Sequence, residues 1–361
     1  MKIFVLGTRG IPDIQGGVEQ HCENLYPLIA SEEYQITLFR RIPFITNKDQ
    51  TFNHISFIDL PSTRIPGIEA FFHSFLCSIK CILSSPDIVH IHNIGPGFFV
   101  PLLKLSGLKV IMTYHSPNYE HLKWSVFTRY FLKMAEFLST RYSDKVIFVS
   151  LYQKNKLGNR KNFVHINNGV KFYPLDSGDD YINLIGLRKR EYILSVGRFV
   201  EEKGFDLLIK AFSRIRRKDL KLVIAGDSDH ETNYSASLRS LAKEHNVILP
   251  GYVRGEKLQQ LYNHARLFVL PSYNEGLPLS LLGAMSYQLP VLASNIPANL
   301  QISLHEDSYF VSGDKESLRM QLDLLLQNDA GSVVYDLTQY DWNQVALATK
   351  KIYKELLLNG K

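Results

Sequence analysis

Pro271-Ser272-Tyr273-Asn274-Glu275-Gly276-Leu277-Pro278-Leu279-Ser280-Leu281-Leu282-Gly283-Ala284-Met285 decides the reading of this chain. Upstream, Leu267-Phe268-Val269-Leu270 is a short apolar run that reads as a buried strand. Downstream, Pro278 fits the first turn of a helix, where its missing N–H costs nothing, and Leu279 to Ser286 continue that helix. Glu275 is thereby expected beside the unpaired N–H groups of a helix start, at the carboxyl end of a strand. Such a place suits a ligand that carries both hydroxyls and phosphate.

The same alternation runs through the whole chain, and it is the signature of parallel sheets covered by helices. Strands are expected at residues 2–6, 35–39, 55–60, 88–92, 110–114, 146–150 and 163–166, with helices at 18–31, 68–83, 98–106, 126–141 and 151–157. A second series follows, with strands at 192–196, 220–225, 247–249, 267–270, 290–293 and 308–311. Its helices are expected near 205–216, 234–245, 257–265, 279–286 and 315–326. Between Lys171 and Arg190 no period is sustained, so this stretch reads as a linker. The fold class expected is α/β with two doubly wound, Rossmann-like domains facing a central cleft. The domains are expected at 1–175 and 176–340, with a last helix within 341–361 returning to the first.

At 361 residues the chain exceeds one typical core, and 45% hydrophobic content supports globular folding. The opening Met1-Lys2-Ile3-Phe4-Val5-Leu6-Gly7 turns at once into a Gly/Arg loop, so it reads as a core strand and not as a signal peptide. The uncharged run Ile88 to Leu103 holds two His, two Gly and two Pro, so no membrane span is expected there. Three cysteines, Cys22, Cys77 and Cys81, form no CxxC pair, which argues against a disulfide framework and a zinc-cysteine site and fits a cytoplasmic protein. Net charge is +6, but residues 1–175 carry 19 Lys/Arg against 12 Asp/Glu, while the rest carries 22 against 23. The basic excess of the first half suits anionic lipid headgroups or ordinary solvated surface; nucleic acid is disfavoured, since no recognised binding module accompanies it.

Other segments carry candidate chemistry. After the first strand, Gly16 and Gly17 precede a helix and permit close backbone approach to an anion, although a plain Gly-Gly turn explains them as well. The spacing is not GxGxxG, and dinucleotide binding is disfavoured. Arg198 and Lys203 follow strand 192–196 on a loop that can wrap a phosphate pair without a metal; the competing reading is a salt bridge to Glu201 or Glu202. His115, just past strand 110–114, is placed to donate to a ligand oxygen. His90 and His92 alternate on a strand without a metal-spaced partner along the chain and read as packing. Asn168 sits in an Asn-Asn-Gly turn, where a turn role and a ligand role fit equally. The segment Leu122–Arg141 interleaves Lys123, Arg129, Lys133 and Arg141 with Trp124, Phe127, Tyr130, Phe131 and Phe137, which fits a membrane interface but fits core packing better.

Taken in order, Gly7-Thr8-Arg9-Gly10-Ile11-Pro12 with Gly16-Gly17-Val18-Glu19, the His115 to Trp124 segment, Asn168-Gly169-Val170, Val196 to Gly204 and Pro271 to Leu279 resemble the retaining family-4 glycosyltransferases of the GT-B fold. The amino-terminal blocks are most similar to the bacterial branch that builds surface polysaccharides, including rhamnosyl transferases. The resemblance implies a donor such as a UDP- or dTDP-sugar, a glycan or lipid-linked acceptor, no cofactor and no metal. It implies that the carboxyl-terminal domain holds the donor and the amino-terminal domain the acceptor. Arg198 and Lys203 then bind the donor diphosphate, which Gly16 and Gly17 approach from the opposite domain. Glu275 contacts the donor sugar, and His115 meets the sugar or its developing charge. Gly276 and Leu277 lie near its hydroxyls or phosphate, Tyr252 and Val253 near the base, and Asn168 near the donor. One departure stands out: the family's second carboxylate falls eight residues after Glu275, where this chain has Gly283, so weaker grip on the ribose is expected. That departure motivates a second reading, a non-catalytic nucleotide-sugar binder. A third keeps the fold for an epimerase or hydrolase.

Overall fold

The apolar runs of the first half form seven parallel strands: β1 (Lys2–Leu6), β2 (Gln35–Arg41), β3 (Ile55–Leu60), β4 (Ile88–His92), β5 (Val110–Tyr114), β6 (Lys145–Phe148) and β7 (Phe163–His165). Their spatial order is β3-β2-β1-β4-β5-β6-β7. In this computed structural model all residues are described except 46–50, 64, 66–67, 118, 120–124, 176–177, 218, 328–330 and 359–361. Helices α1 (Gly17–Ile29), α2 (Ile68–Ser84), α3 (Val100–Leu105), α4 (Val126–Tyr142) and α5 (Leu151–Lys156) connect the strands. Every residue of β4 and β5 is buried, as expected of strands covered on both faces, yet β4 places His90 and His92 in that interior.

The second half forms a separate parallel sheet of β8 (Tyr192–Val196), β9 (Lys221–Ala225), β10 (Leu267–Leu270), β11 (Val291–Ser294) and β12 (Tyr309–Phe310), in the order β12-β11-β10-β8-β9. Its helices are α6 (Asp180–Leu184), α7 (Phe205–Phe212), α8 (Asn233–Glu244), α9 (Gly255–His264), α10 (Leu279–Ser286), α11 (Pro297–Leu300) and α12 (Lys315–Gln327). A core of Phe205, Leu208, Leu222, Ile224, Val269 and Leu318 lies between sheet and helices. The last helix, α13 (Trp342–Leu358), packs on α1, and its Tyr353 hydroxyl meets His90 Nδ1 at 2.6 Å. The chain thus makes two compact units, Met1–Gly169 with Gln339–Lys361, and Val170–Thr338.

Three local expectations fail for identifiable reasons. Val247 to Leu249 form no named strand, only a bridge from Ile248 to Val223, because Pro250 lacks the N–H needed to extend the ladder. The stretch read as linker contains α6, whose start is held from outside: Tyr181 N–H donates to Gln260 Oε1 at 2.8 Å. Helix α7 stops at Phe212, and turns reaching Ile215 replace the last expected residues.

Each sheet has one reversal of strand order. In the first, β1 lies between β2 and β4; in the second, β8 lies between β9 and β10. The carboxyl ends of strands at such reversals open a crevice where ligands bind in α/β sheets. The loops after β1, β4, β8 and β10 therefore mark the places to look. Among the described residues no helix is long and apolar enough to cross a membrane.

Candidate active site

At the reversal of the second sheet, the loops after β8 and β10 are locked together. Gly204 has φ +61°, and a Cβ there would stand 2.4 Å from the carbonyl oxygen of Pro271, so only glycine permits this approach. Tyr273 N–H donates to Glu202 O at 2.8 Å. The approach brings Lys203 Nζ to 2.5 Å from Glu275 Oε1, and Ser272 Oγ donates to the same oxygen at 2.7 Å. Lys203 and Glu275 are 18% and 11% exposed, so the pair is mostly sheltered while still reachable from solvent. A cation and a carboxylate are thus held side by side, with Glu275 four residues before α10 begins. Such a pair can take a phosphate on one member and sugar hydroxyls on the other.

Arg198 is turned elsewhere. Its Nη1 lies 2.9 Å from Asp229 Oδ2, so its ion-pair partner comes from the loop after β9, where sequence reading had offered Glu201 or Glu202. Gly276 and Leu277 are buried behind Glu275, and Gln301 Nε2 donates to Gly276 O at 3.1 Å. Tyr252 is 38% exposed and Val253 buried, after Gly251 at φ +77°. Gly283 faces a tyrosine: a Cβ there would lie 3.4 Å from the hydroxyl of Tyr262, whose ring stacks on Tyr287, which stacks in turn on Tyr173. The position that carries the second carboxylate in the resembling family is here covered by the edge of an aromatic stack.

In the first unit, Gly16 has φ +150° and Gly17 opens α1 without a left-handed torsion, with open space where its Cβ would be. What shapes this loop is a residue the sequence reading passed over. The buried Glu19 carboxylate accepts from Arg9 N–H at 3.0 Å, Arg9 Nε at 3.3 Å and Thr8 Oγ1 at 3.3 Å. Burial pushes its pKa up, but the Arg9 charge and hydrogen bonds outweigh burial and hold it below the usual range.

His115, at the end of β5, belongs to a buried cluster. Its Nε2 lies 2.9 Å from His92 Nδ1, and the His21 ring stands edge-on to both. Asn168 is buried and its Oδ1 sits 2.8 Å from His21 Nδ1. His92 Nε2 meets the Tyr26 hydroxyl at 2.6 Å, and His90 Nε2 meets Thr113 Oγ1 at 2.7 Å. Burial drives these imidazoles toward the neutral form: the pKa falls to about 4 for His21 and about 3 for His90, and lies well below the ordinary value for His92 and His115. His92 therefore has histidine neighbours in space that its place along the chain does not reveal. His21 was missed outright; a His two residues past Glu19 on a helix start was its only sequence signal.

The aromatic members of α4 divide. Phe127, Tyr130 and Phe137 are 81%, 71% and 56% exposed, against the core reading, because α4 buries its other face through Leu132, Ala135, Glu136, Ser139 and Thr140. Phe131 alone packs inward, against Phe98 and the half-exposed Phe71 of α2. Lys123 and Trp124 lie outside the described residues.

Comparison with known proteins decides the family. The profile of "Glycosyltransferase Family 4" matches residues 15–172, and that of "Glycosyl transferases group 1" matches residues 182–339. An uncharacterised glycosyltransferase of Methanocaldococcus jannaschii is 31% identical over 243 residues, which are 61% of this chain and 62% of that protein. The chain belongs to the GT-B glycosyltransferases. Its fold matches sucrose-phosphate synthase from Thermosynechococcus elongatus at TM-score 0.84 with 21% identity, over 99% of this chain and all of that one. It also matches the Anabaena protein HepE in complex with UDP-glucose at TM-score 0.78 with 15% identity, over 98% and 99% of the two chains. For a glycosyltransferase of this fold, the loops that carry Lys203 and Glu275 sit at the strand reversal of the carboxyl-terminal unit.

Proposed function

We propose that this glycosyltransferase is a retaining, metal-independent enzyme that moves a hexosyl or deoxyhexosyl unit from a nucleotide-diphosphate sugar to a glycan or lipid-linked glycan in bacterial surface polysaccharide synthesis. The observation that carries the donor assignment is the Lys203–Glu275 pair at the reversal of the second sheet. The UDP-glucose held by the Anabaena protein of the same fold supports the donor class. Lys203 neutralises the departing diphosphate, with Arg198 joining once it leaves Asp229, and Glu275 holds the donor sugar through its hydroxyls. A donor phosphate oxygen takes the acceptor's proton on the face the leaving group departs from, so the anomeric configuration is kept. Gly276, Leu277, Tyr252, Val253, Gly16, Gly17, Asn168 and His115 complete the donor set implied by the family resemblance.

Transfer is tested with the purified protein, a panel of nucleotide sugars and a lipid-linked acceptor, with product anomers read by NMR. The expected product keeps the donor's configuration. An inverted product removes the retaining mechanism, binding without transfer leaves a nucleotide-sugar binder, and conversion without acceptor leaves an epimerase or hydrolase.

The reading includes a cytoplasmic protein in peripheral contact with anionic membrane. Its support is the basic excess of the first half together with the exposed aromatic faces of α2 and α4, joined through Phe71 and Phe131. Changing Phe127 and Tyr130 to serine removes two aromatic contacts worth about 1.5–3 kcal/mol each when fully buried. Partition into phosphatidylserine vesicles is expected to fall at least about tenfold. Unchanged partition would rule this face out.

A further inference from the structure

The histidine cluster of the first unit has a feature that packing does not explain. His21, 3% exposed, places Nδ1 against Asn168 Oδ1, an oxygen that can only accept. Nδ1 therefore carries the ring hydrogen and Nε2 is left as a bare lone pair. Among the described residues, no hydrogen-bond partner meets that buried Nε2. Leaving such a buried group unsatisfied is unfavourable. The ring is not isolated, because one ring nitrogen each of His21, His92 and His115 lie within 4.8 Å of one another.

We propose that His21, His92 and His115 form a binding site for a borderline divalent metal ion, Zn²⁺ or a close relative such as Co²⁺ or Ni²⁺. Three imidazoles select these ions over Mg²⁺ and Ca²⁺, which prefer oxygen. Tetrahedral ligation with bonds of about 2.0–2.1 Å sets nitrogens roughly 3.4 Å apart. His92 Nδ1 and His115 Nε2, now 2.9 Å apart, need only open slightly, and the wider pairs close by side-chain rotation. The outer partners are already in place. Asn168 accepts from His21, and the Tyr26 hydroxyl at 2.6 Å from His92 Nε2 can accept the hydrogen that turns His92's Nδ1 lone pair inward. The Tyr26 hydroxyl in turn is hydrogen-bonded to the Tyr353 hydroxyl, which can accept its proton and pass its own to His90 Nδ1 at 2.6 Å. Burial keeps the ligands unprotonated, as metal binding requires. With three protein ligands the fourth position is left to water, and the transfer step proposed above does not use the ion.

The site shares His115 with the donor set proposed above but does not rest on that role, because metal binding is measured without donor or acceptor. The full-length protein, stripped with chelator, is titrated with Zn²⁺ against a chromophoric chelator and with Co²⁺ by visible absorption. One equivalent is expected to bind, with the intense absorption of tetrahedral cobalt. His21→Gln is expected to weaken binding at least 100-fold, while His73→Gln, a buried histidine outside the cluster, leaves it unchanged. Thermal melts of both variants show whether each is folded. Should His21→Gln not fold, Asn168→Ala, which frees the His21 ring without removing a ligand, is expected to weaken binding about tenfold. No stoichiometric binding by the wild-type protein, or binding that survives both His21→Gln and Asn168→Ala, overturns the proposal.

Discussion

Lys203→Met is expected to lower kcat by about 100- to 1,000-fold, the loss typical when one preorganised group facing developing charge is removed. The physical case rests on shelter. Lys203 lies 2.5 Å from Glu275 with both side chains largely out of water, so its charge is screened less than that of a surface lysine. In the proposed mechanism the departing diphosphate carries the charge that this ammonium meets. The substitution also leaves Glu275 with Ser272 as its remaining side-chain donor among the hydrogen bonds described, so a loss of stability of about 1–3 kcal/mol accompanies the loss of rate. The double variant Lys203→Met with Glu275→Gln separates the two effects. It removes the uncompensated carboxylate, so the melting temperature recovers while the rate does not. Arg214→Met, which breaks an exposed ion pair with Glu316, is the control and changes neither. A Lys203→Met enzyme within threefold of the wild-type rate would remove Lys203 from the diphosphate role.

The second large effect is acid destabilisation of the first unit. His21, His90 and His73 are buried there, and burial lowers their pKa to about 4, about 3 and about 4 from the ordinary 6.5; the neighbouring Arg41 charge also depresses His73. In the unfolded chain each histidine takes a proton near pH 6.5, but in the folded chain it does not until near pH 4 or 3. Below pH 6.5 the unfolded state thus binds more protons, and stability falls as pH falls. The slope is about 1.36 kcal/mol per pH unit for each histidine, so descent to pH 5 costs roughly 2 kcal/mol apiece. Three such groups approach the whole stability of a typical domain, about 5–15 kcal/mol. Melts in the presence of chelator, so that only protons are read, are expected to show a drop of at least about 10 °C between pH 7 and pH 5. An unchanged melting temperature over that interval would mean that these histidines are not held neutral.

The two effects differ in how far they could be read in advance. Lys203 and Glu275 are legible because each follows an apolar run at a strand's carboxyl end, and the reversal of strand order makes those ends a crevice. The ion pair of Arg198 was legible only as a class, since choosing Asp229 over its neighbours Glu201 and Glu202 requires the loop after β9 to be in place. The histidine cluster was not legible at all. His21, His92 and His115 come from a helix, a strand and the loop after another strand, and period-based reading works only within one element.

Sequence by itself determined the alternation of strands and helices, the restart near residue 190, the loops after β8 and β10 and the departure at Gly283, because each depends on residues a few positions apart. Tertiary structure alone decided what those positions touch. It brought Lys203 to Glu275 through the bare backbone of Gly204, set Tyr262 against Gly283, turned Phe127 and Tyr130 to solvent, and gathered the imidazoles of His21, His92 and His115. The physical reason is common to all four: burial and pairing are set by which elements neighbour one another in the sheet, and that order is fixed by packing of the whole unit and not by the local pattern of any one segment.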